Sequence, residues 1–113
     1  MMTGINKKLF IAFATMLLLV QPVLGQTVFG SRDCGRWVKR IDSPQTKVAT
    51  EGWLAGYMSG MNFLHVANGK KDALEKVNSL DQMILWMDNY CNNNPLSSAS
   101  DGAFTLFLEL IRR

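Results

Sequence analysis

The sequence has few of the side chains on which metal sites and many catalytic sites depend. Among its 113 residues there is one histidine, His65, and there are two cysteines, Cys34 and Cys91, which do not form a CxxC pair. Zinc in proteins is held by at least three ligands, most of them Cys or His, so this composition disfavours a metal site. We therefore expect no metal.

Motifs for nucleotide binding, nucleic-acid binding and acid–base chemistry are also lacking. The chain has no glycine-rich phosphate loop and no basic patch with interleaved aromatic residues, so neither a nucleotide cofactor nor a nucleic acid is expected. Asp81 and Asp88 are seven positions apart and share a helix face, but no further group completes an acid–base site. A small enzyme that uses His65 is the least favoured interpretation, and we predict a non-catalytic protein.

The N-terminus predicts export. Lys7 and Lys8 precede an apolar run, Leu9–Val20, and Gly25 ends a stretch of small or short residues typical of a signal-peptidase site. An uncleaved anchor is the alternative, but the run of 12 residues is shorter than the roughly 20 that span a bilayer. We therefore predict a signal peptide at residues 1–25, a single domain at residues 26–113, and no stable membrane insertion after cleavage.

Removing this leader lowers the basicity of the chain. Two of the 12 basic residues lie in the leader and all nine acidic residues lie outside it, so the net charge falls from +3 to 10 minus 9, or +1. A domain of this size buries only about 60% of its unfolded surface, so a covalent cross-link would help to stabilise it.

The two cysteines supply that cross-link if the chain is exported, because disulfides persist in oxidising compartments. Only one pairing exists, Cys34 with Cys91, at a separation of 57 residues. Closing such a loop stabilises the folded state by ~4 kcal/mol when the chain-entropy treatment holds. Two buried free thiols are the alternative.

After the leader the chain shows helical periodicity and no run of clean two-residue alternation, which predicts an all-α bundle of four to five helices. The helices are expected to begin near Ser31 or Asp33, to run from Thr46 to Ala67, to span Lys70–Val77, to begin at Ser79, and to follow Ser97 or Ser98. Their expected inward stripes are Cys34, Trp37, Val38 and Ile41; Ala73, Leu74 and Val77; Leu80, Met83, Ile84, Met87, Tyr90 and Cys91; and Ala103, Leu106, Phe107, Leu110 and Ile111.

The second of these helices contains GWLAGYMSGMN, in which Gly52, Gly56 and Gly60 recur every four residues. A glycine inside a helix costs roughly 1 kcal/mol relative to alanine, so three in one row call for a reason. The helix is apolar over a wide arc, which places it in the middle of the bundle. The glycines then either pack closely against the protein's own core, which we favour, or form a dimer or partner surface. Six residues make up this helix-packing or partner surface: Gly52, Trp53, Gly56, Tyr57, Gly60 and Met61.

Three segments have a familiar layout. A cysteine opens the first helix in DCGRWVKR, aromatic residues and glycines mix in GWLAGYMSGMN, and a tyrosine–cysteine pair lies near a helix end in WMDNYCNNNP. Between Asp33 and Leu110 the chain resembles the HdeA/HdeB-type small periplasmic helical proteins of Gram-negative bacteria. The resemblance implies a periplasmic protein with a Cys34–Cys91 disulfide around a helical core, and it allows a homodimer.

The same resemblance implies an acid-stress chaperone. In such a protein the folded form is inactive, protonation of carboxylates weakens it, and apolar surface is released to hold unfolded clients. Protonating all nine acids would raise the charge of residues 26–113 from +1 to roughly +10, and self-repulsion would favour opening.

A second resemblance gives the alternative function. Rap/Tai-type immunity proteins are also small, exported, helical and disulfide-linked, with a glycine-aromatic-glycine central helix similar to GYMSG. This resemblance implies binding and inhibition of a cell-wall-degrading effector of type VI secretion, with Gly56, Tyr57 and Gly60 in structural roles. The expected partner is in either case a protein: unfolded clients or an effector.

Overall fold

The computed structural model describes residues 27–113, which form four α-helices around one core. They are α1 (Cys34–Val38), α2 (Pro44–Ala67), α3 (Leu80–Asn93) and α4 (Ala99–Arg112), and a 3-10 turn at Lys39–Asp42 joins α1 to α2. These residues contain no β-strand, only an isolated bridge between Asp33 and Ser98. The predicted all-α class is confirmed, with four helices. The predicted signal peptide lies outside the described residues.

A serine or aspartate side chain begins each of these helices by accepting a hydrogen bond from a backbone amide of the first turn. The cap and donor pairs are Asp33 with Arg36, Ser43 with Thr46, Ser79 with Gln82, and Ser98 with Asp101. The predicted caps Asp33, Ser79 and Ser98 are thereby confirmed. Pro44 lies in the first turn of α2, where its missing N–H costs nothing, so α2 begins before the predicted Thr46.

The predicted disulfide between Cys34 and Cys91 is confirmed, and both cysteines are buried. It joins the first residue of α1 to the last turn of α3. Two backbone hydrogen bonds reinforce this junction, because the Cys34 amide donates to the carbonyl of Ser97 and the Ala99 amide donates to that of Arg32. The start of α1 is therefore held against both α3 and the loop that leads into α4.

All four helices contribute to the core. Its buried apolar members are Cys34, Trp37, Leu54, Met58, Ala73, Met83, Met87, Cys91, Ala99, Ala103, Leu106, Phe107 and Leu110. The predicted stripe of α3 is confirmed, with Leu80, Ile84 and Tyr90 partly buried at its edges. In α4 the prediction is wrong for Ile111, which is 42% exposed because it lies at the edge of the stripe in the last turn.

Close helix approach occurs at a glycine that the sequence did not single out. Gly102 in the first turn of α4 faces α3, and a Cβ atom there would lie 2.7 Å from Cδ1 of Tyr90 and 2.9 Å from Cε of Met87. A side chain at this position would require the Tyr90 ring and the end of the Met87 side chain to shift.

The predicted inward stripe of the first helix is half wrong. Cys34 and Trp37 are buried, but Val38 is 37% and Ile41 65% exposed. Ile41 is turned outward because α1 tightens after Val38 into the 3-10 turn, which rotates each residue further than an α-helix does. This rotation turns Arg40 into the protein in place of Ile41.

The predicted helix at Lys70–Val77 is also wrong, since this segment is a loop with one turn. Side chains take over hydrogen bonds that a helix would make: the amide of Ala73 donates to Oδ1 of Asn62, and the amide of Leu74 donates to Oδ1 of Asp72. Short polar side chains that bind nearby backbone groups compete with helix formation in this way. The apolar residues still reach the core, Ala73 fully and Leu74 and Val77 in part.

The prediction that α2 lies in the middle of the bundle is wrong as well. Of its 24 residues, only Thr50, Leu54 and Met58 are buried. The 3-10 turn, α3 and α4 all contact α2, and the burial pattern places them on one side of it. The opposite side is left open among the residues that the structure describes.

The contrast between Gly60 and Gly102 predicts opposite effects of the same substitution. A Cβ at Gly60 meets nothing within 4 Å, so Gly60→Ala should raise the free energy of unfolding by up to ~1 kcal/mol through helix propensity. Gly102→Ala should lower it by about 1 kcal/mol or more, because overpacking outweighs that gain. Urea unfolding of dilute protein measures both, and a shift of the same sign in both variants would contradict this packing.

Candidate partner-binding surface

An open apolar surface runs along the outer side of α2. We call it the glycine face and define it by Val48, Gly52, Gly56, Gly60, Phe63 and Leu64. Its glycines are exposed, and a Cβ on any of them would meet nothing within 4 Å. Val48 and Phe63 are each 73% exposed and Leu64 is 63% exposed. Three glycines thus form a smooth centre between large apolar side chains at the two ends.

The glycine face carries no charge. Lys47 and Glu51 are the only Lys, Arg, Asp or Glu residues in α2, and Lys47 donates to Glu51 at 2.8 Å on the flank turned toward the 3-10 turn. Exposed helix surfaces in monomeric proteins are usually covered by charged and polar side chains. A long uncharged apolar strip is instead typical of a surface that contacts another protein.

Aromatic residues border the glycine face on one side. The rings of Trp53 and Tyr57 stack with their centroids 5.2 Å apart, and Nε1 of Trp53 donates to the carbonyl oxygen of Phe29 at 2.8 Å. Gly30 has a positive φ of 78°, which favours glycine. Its Cα also lies close to the Trp53 ring, so that a Cβ atom at this position would be 2.8 Å from Cδ1 of Trp53. This turn leaves the side chain of Phe29 89% exposed. Trp and Tyr are frequent anchors in protein interfaces.

The Tyr57 phenol lies where this border meets α4. Partial burial raises its pKa above the ordinary value of 10.0, and the negative charge of Asp101 raises the pKa further. Tyr57 is therefore a neutral hydrogen-bond donor and acceptor at physiological pH, at the edge of a surface without charges.

The six residues predicted as a helix-packing or partner surface divide into two groups. Trp53, Tyr57 and Met61 are half-buried and pack against the core. Gly52, Gly56 and Gly60 lie on the exposed side, so their expected role in packing the protein's own core is wrong for residues 27–113. Their alternative role as a partner surface stays a prediction.

A buried arginine lies behind this helix, and the sequence analysis missed it. Arg40 is 4% exposed and its guanidinium contacts two carboxylates: Nη1 and Nη2 donate to Asp88 at 2.7 and 3.3 Å, and Nε donates to Glu51 at 3.2 Å. Nη1 also donates to the carbonyl of Trp37, whose ring lies under the guanidinium at 4.6 Å. The indole Nε1 of Trp37 donates to Asp88 in turn, at 2.9 Å.

These four side chains, which we call the Arg40 cluster, link three elements. Trp37 belongs to α1, Glu51 to α2 and Asp88 to α3, with Arg40 in the 3-10 turn. A buried guanidinium is tolerated only while its counter-charges and hydrogen bonds are present. The one sequence signal for it was the three-residue spacing from Trp37 to Arg40, which in 3-10 geometry aligns the two side chains on one side of the turn.

His65 and Asp81 take no part in either feature. The imidazole of His65 packs edge-on against the ring of Phe107, with centroids 5.5 Å apart. Asp88, which the sequence paired with Asp81, is engaged by Arg40 and Trp37. Across residues 27–113 no three His, Cys, Asp or Glu side chains are grouped so that they could hold a metal ion.

Comparison with known proteins adds no relationship. No protein-family model, curated protein or solved structure matches the chain. Within the described part of the chain, none of the helices has both the length and the apolar character needed to cross a membrane.

The Arg40 cluster predicts a large effect from a small change. Asp88→Asn should lower the free energy of unfolding by about 2 kcal/mol, because Arg40 stays buried with only Glu51 as a counter-charge. The exposed Asp42 supplies the matched control, and Asp42→Asn should change stability by less than about 0.5 kcal/mol. Denaturant unfolding at neutral pH compares the two, and equal effects would contradict a structural role for the cluster.

The raised pKa of Tyr57 predicts a loss of stability in alkali. The neutral phenol contributes to the free energy of unfolding. This contribution is fully present below pH 10.0, the ordinary pKa that applies in the unfolded chain, and it is lost as the pH rises through the higher pKa of the folded chain. In a Tyr90→Phe background, where Tyr57 is the one remaining tyrosine, phenolate absorbance should show a midpoint above 10.0 that Asp101→Asn lowers. A midpoint at or below 10.0 would contradict the burial of this ring.

Proposed function

We propose that the protein is a non-catalytic periplasmic protein that binds other proteins through the glycine face. The observation that supports this most is that α2 leaves an apolar strip exposed in the folded chain, with no charged residue on it. Interface cores are depleted of charge and enriched in aromatic side chains, as is this strip with Phe63 on it and Trp53 beside it. The Cys34–Cys91 disulfide is compatible with an oxidising compartment.

The leading form of this proposal is an acid-stress chaperone similar to HdeA, and the Arg40 cluster supports it. The carboxylates of Glu51 and Asp88 are the counter-charges of Arg40, and carboxyl groups are in general protonated near pH 2. A buried guanidinium without a counter-charge is strongly unfavourable. Acid would therefore loosen α2 from α1 and α3, since these carboxylates join them.

The disulfide limits how far such opening goes. It keeps α1 on α3, whereas α2 lies inside the loop that the disulfide closes and has no covalent tie of its own. Displacement of α2 would uncover core side chains on both sides, including Met58 of α2 and Met87 of α3. Methionine side chains adapt to varied partners, which suits capture of unfolded clients.

The alternative form is an immunity protein that binds and inhibits a cell-wall-degrading effector. One observation favours it: the glycine face is exposed without any opening of the fold. A rigid helix face bordered by stacked aromatic rings suits recognition of a folded partner, because little ordering is needed on binding.

Suppression of client aggregation tests the proposal. The purified protein is mixed with an acid-denatured client at pH 2 and, separately, with a heat-denatured client at pH 7. Leu64→Lys places a charge on the glycine face, and Leu85→Lys is its matched control, because Leu64 is 63% and Leu85 62% exposed. Lysine is charged at both pH values. We expect suppression at pH 2 that Leu64→Lys reduces several-fold and Leu85→Lys leaves unchanged.

Other outcomes separate the two forms. No suppression at either pH would reject the chaperone. Tight binding at pH 7 to a cell-wall-degrading effector, lost in Leu64→Lys and kept in Leu85→Lys, would establish the immunity form instead. If the two variants behave alike in every assay, the glycine face is not the binding surface.

A further inference from the structure

We propose that the cavity between α3 and α4 binds a medium-chain aliphatic carboxylate, with the alkyl chain between the two helices and the carboxylate beside Lys76 and Arg113. This site is separate from the glycine face. The proposal goes beyond the proposed function and does not depend on it.

The cavity lies away from the loop that joins α3 to α4. Near that loop Gly102 leaves no room for a Cβ atom beside Tyr90 and Met87, so the two helices are in close contact there. At the other end of the pair, the helices and the loop before α3 surround a cavity of about 360 Å³ that is open to solvent. Its volume falls within the range of roughly 300–1,000 Å³ that is usual for small-molecule sites.

Apolar side chains form much of the cavity wall. Met83 of α3 and Leu106 and Leu110 of α4 line it and are buried, while Val77 and Trp86 line it and are half-buried. Of these five side chains only Trp86 carries a hydrogen-bond donor. Its indole N–H is already engaged, because it donates to Oε2 of Glu109 at 2.7 Å. This part of the cavity therefore suits an alkyl group.

The Trp86 ring is held in place from two directions. It stacks on the ring of Tyr90, with centroids 5.5 Å apart and planes 11° apart, and its Nε1 is fixed by Glu109. Glu109 in turn accepts from Nη2 of Arg113 at 3.4 Å through its other oxygen, Oε1. A wall that is already fixed loses little conformational freedom when a ligand binds, so apolar contact with it adds to affinity.

The polar edge of the cavity carries more positive than negative charge. Lys76 and Arg113 line it, and among the described residues Glu109 is the one acid that does so, which gives 2 minus 1, or +1. Nζ of Lys76 contacts the main-chain oxygen of Arg113, so the two cationic residues lie next to each other. Both oxygens of Glu109 already accept hydrogen bonds. The edge therefore favours an anion, and a carboxylate suits the planar guanidinium of arginine.

A neighbouring cavity indicates where the carboxylate lies. This second cavity, of about 640 Å³, shares Lys76 and Arg113 with the first, and its other charged residues are Lys70, Lys71, Asp72 and Glu75. These two lysines and two acids cancel in formal charge. The excess of positive charge is therefore at the shared residues, Lys76 and Arg113, at the edge of the apolar cavity.

Titration with octanoate tests the site through the indole N–H resonances of the three tryptophans. Trp86 lines the cavity, Trp37 is buried beside Asp88, and Trp53 borders the glycine face. At pH 7 we expect the Trp86 resonance to shift while the other two stay in place, with a dissociation constant in the millimolar range or below, as is usual for a ligand of this size. From butanoate to octanoate, each added CH₂ group should tighten binding by up to about fourfold.

Two comparisons test the role of charge. Octanol and octylamine have the same chain as octanoate but no anionic group, so both should bind several-fold more weakly. The double variant Lys76→Gln, Arg113→Gln should reduce the affinity for octanoate to that for octanol and leave the affinity for octanol unchanged. Lys39→Gln with Arg36→Gln is the matched control, because all four side chains are exposed and both variants remove two positive charges. This control should bind octanoate like the wild type, and circular dichroism checks the fold of both.

The other outcomes would overturn the proposal. They are a Trp86 resonance that does not move at millimolar octanoate, or shifts of Trp53 as large as those of Trp86, since the chain would then bind to apolar surface in general. Equal affinity for octanoate and octanol would show that the carboxylate makes no contact at the cavity edge. Octylamine binding as tightly as octanoate would assign the charge preference to Glu109 instead.

A matched control variant that loses octanoate binding as fully as the Lys76 and Arg113 variant would reduce the effect to net charge alone, and would likewise overturn the site.

Discussion

The rest of the structure depends on the covalent link between Cys34 and Cys91. The helix that contains Cys34 has five residues, far fewer than a helix needs to be stable by itself. Fixed to α3 by the disulfide, α1 places Trp37 in the core and brings the following 3-10 turn over Asp88. Arg40 can then be buried, because its guanidinium finds Asp88 on α3 and Glu51 on α2. The Cys34–Cys91 disulfide therefore helps to hold the start of α2 in place, although neither cysteine belongs to α2.

This mode of attachment explains why one side of α2 is open. The helix is held through Glu51 near its start and through Leu54 and Met58 in its middle, all on the side turned to the bundle. At 24 residues it is longer than α3 and α4, which have 14 each. The opposite side bears glycines and uncharged apolar residues. Exposing this apolar surface to water is unfavourable, and the glycines would let another helix approach it closely.

Local signals in the sequence were sufficient for much of this architecture. The caps at Asp33, Ser79 and Ser98, the stripe of α3 and the disulfide all followed from short-range patterns or from the cysteine count. The wrong predictions concern segments that could form more than one local structure, where contacts in the folded protein stabilise one of them. The amide of Ala73 donates to the side-chain oxygen of Asn62 in place of a helical hydrogen bond. The 3-10 turn buries Arg40 and leaves Ile41 exposed. For the candidate surface, the sequence identified the glycine row but not its direction, because a helix apolar over a wide arc does not indicate which part faces the core.

The central claim, that the glycine face of α2 is where this protein meets another, is tested most directly by amide resonances. Heteronuclear NMR spectra recorded while an unfolded client or an effector protein is titrated in report each glycine separately. The account predicts shifts or broadening at Gly52, Gly56 and Gly60, with Gly102 unchanged because it is already packed against Tyr90. Binding that leaves the glycine resonances of α2 unmoved, or that shifts only those of α4, would contradict it.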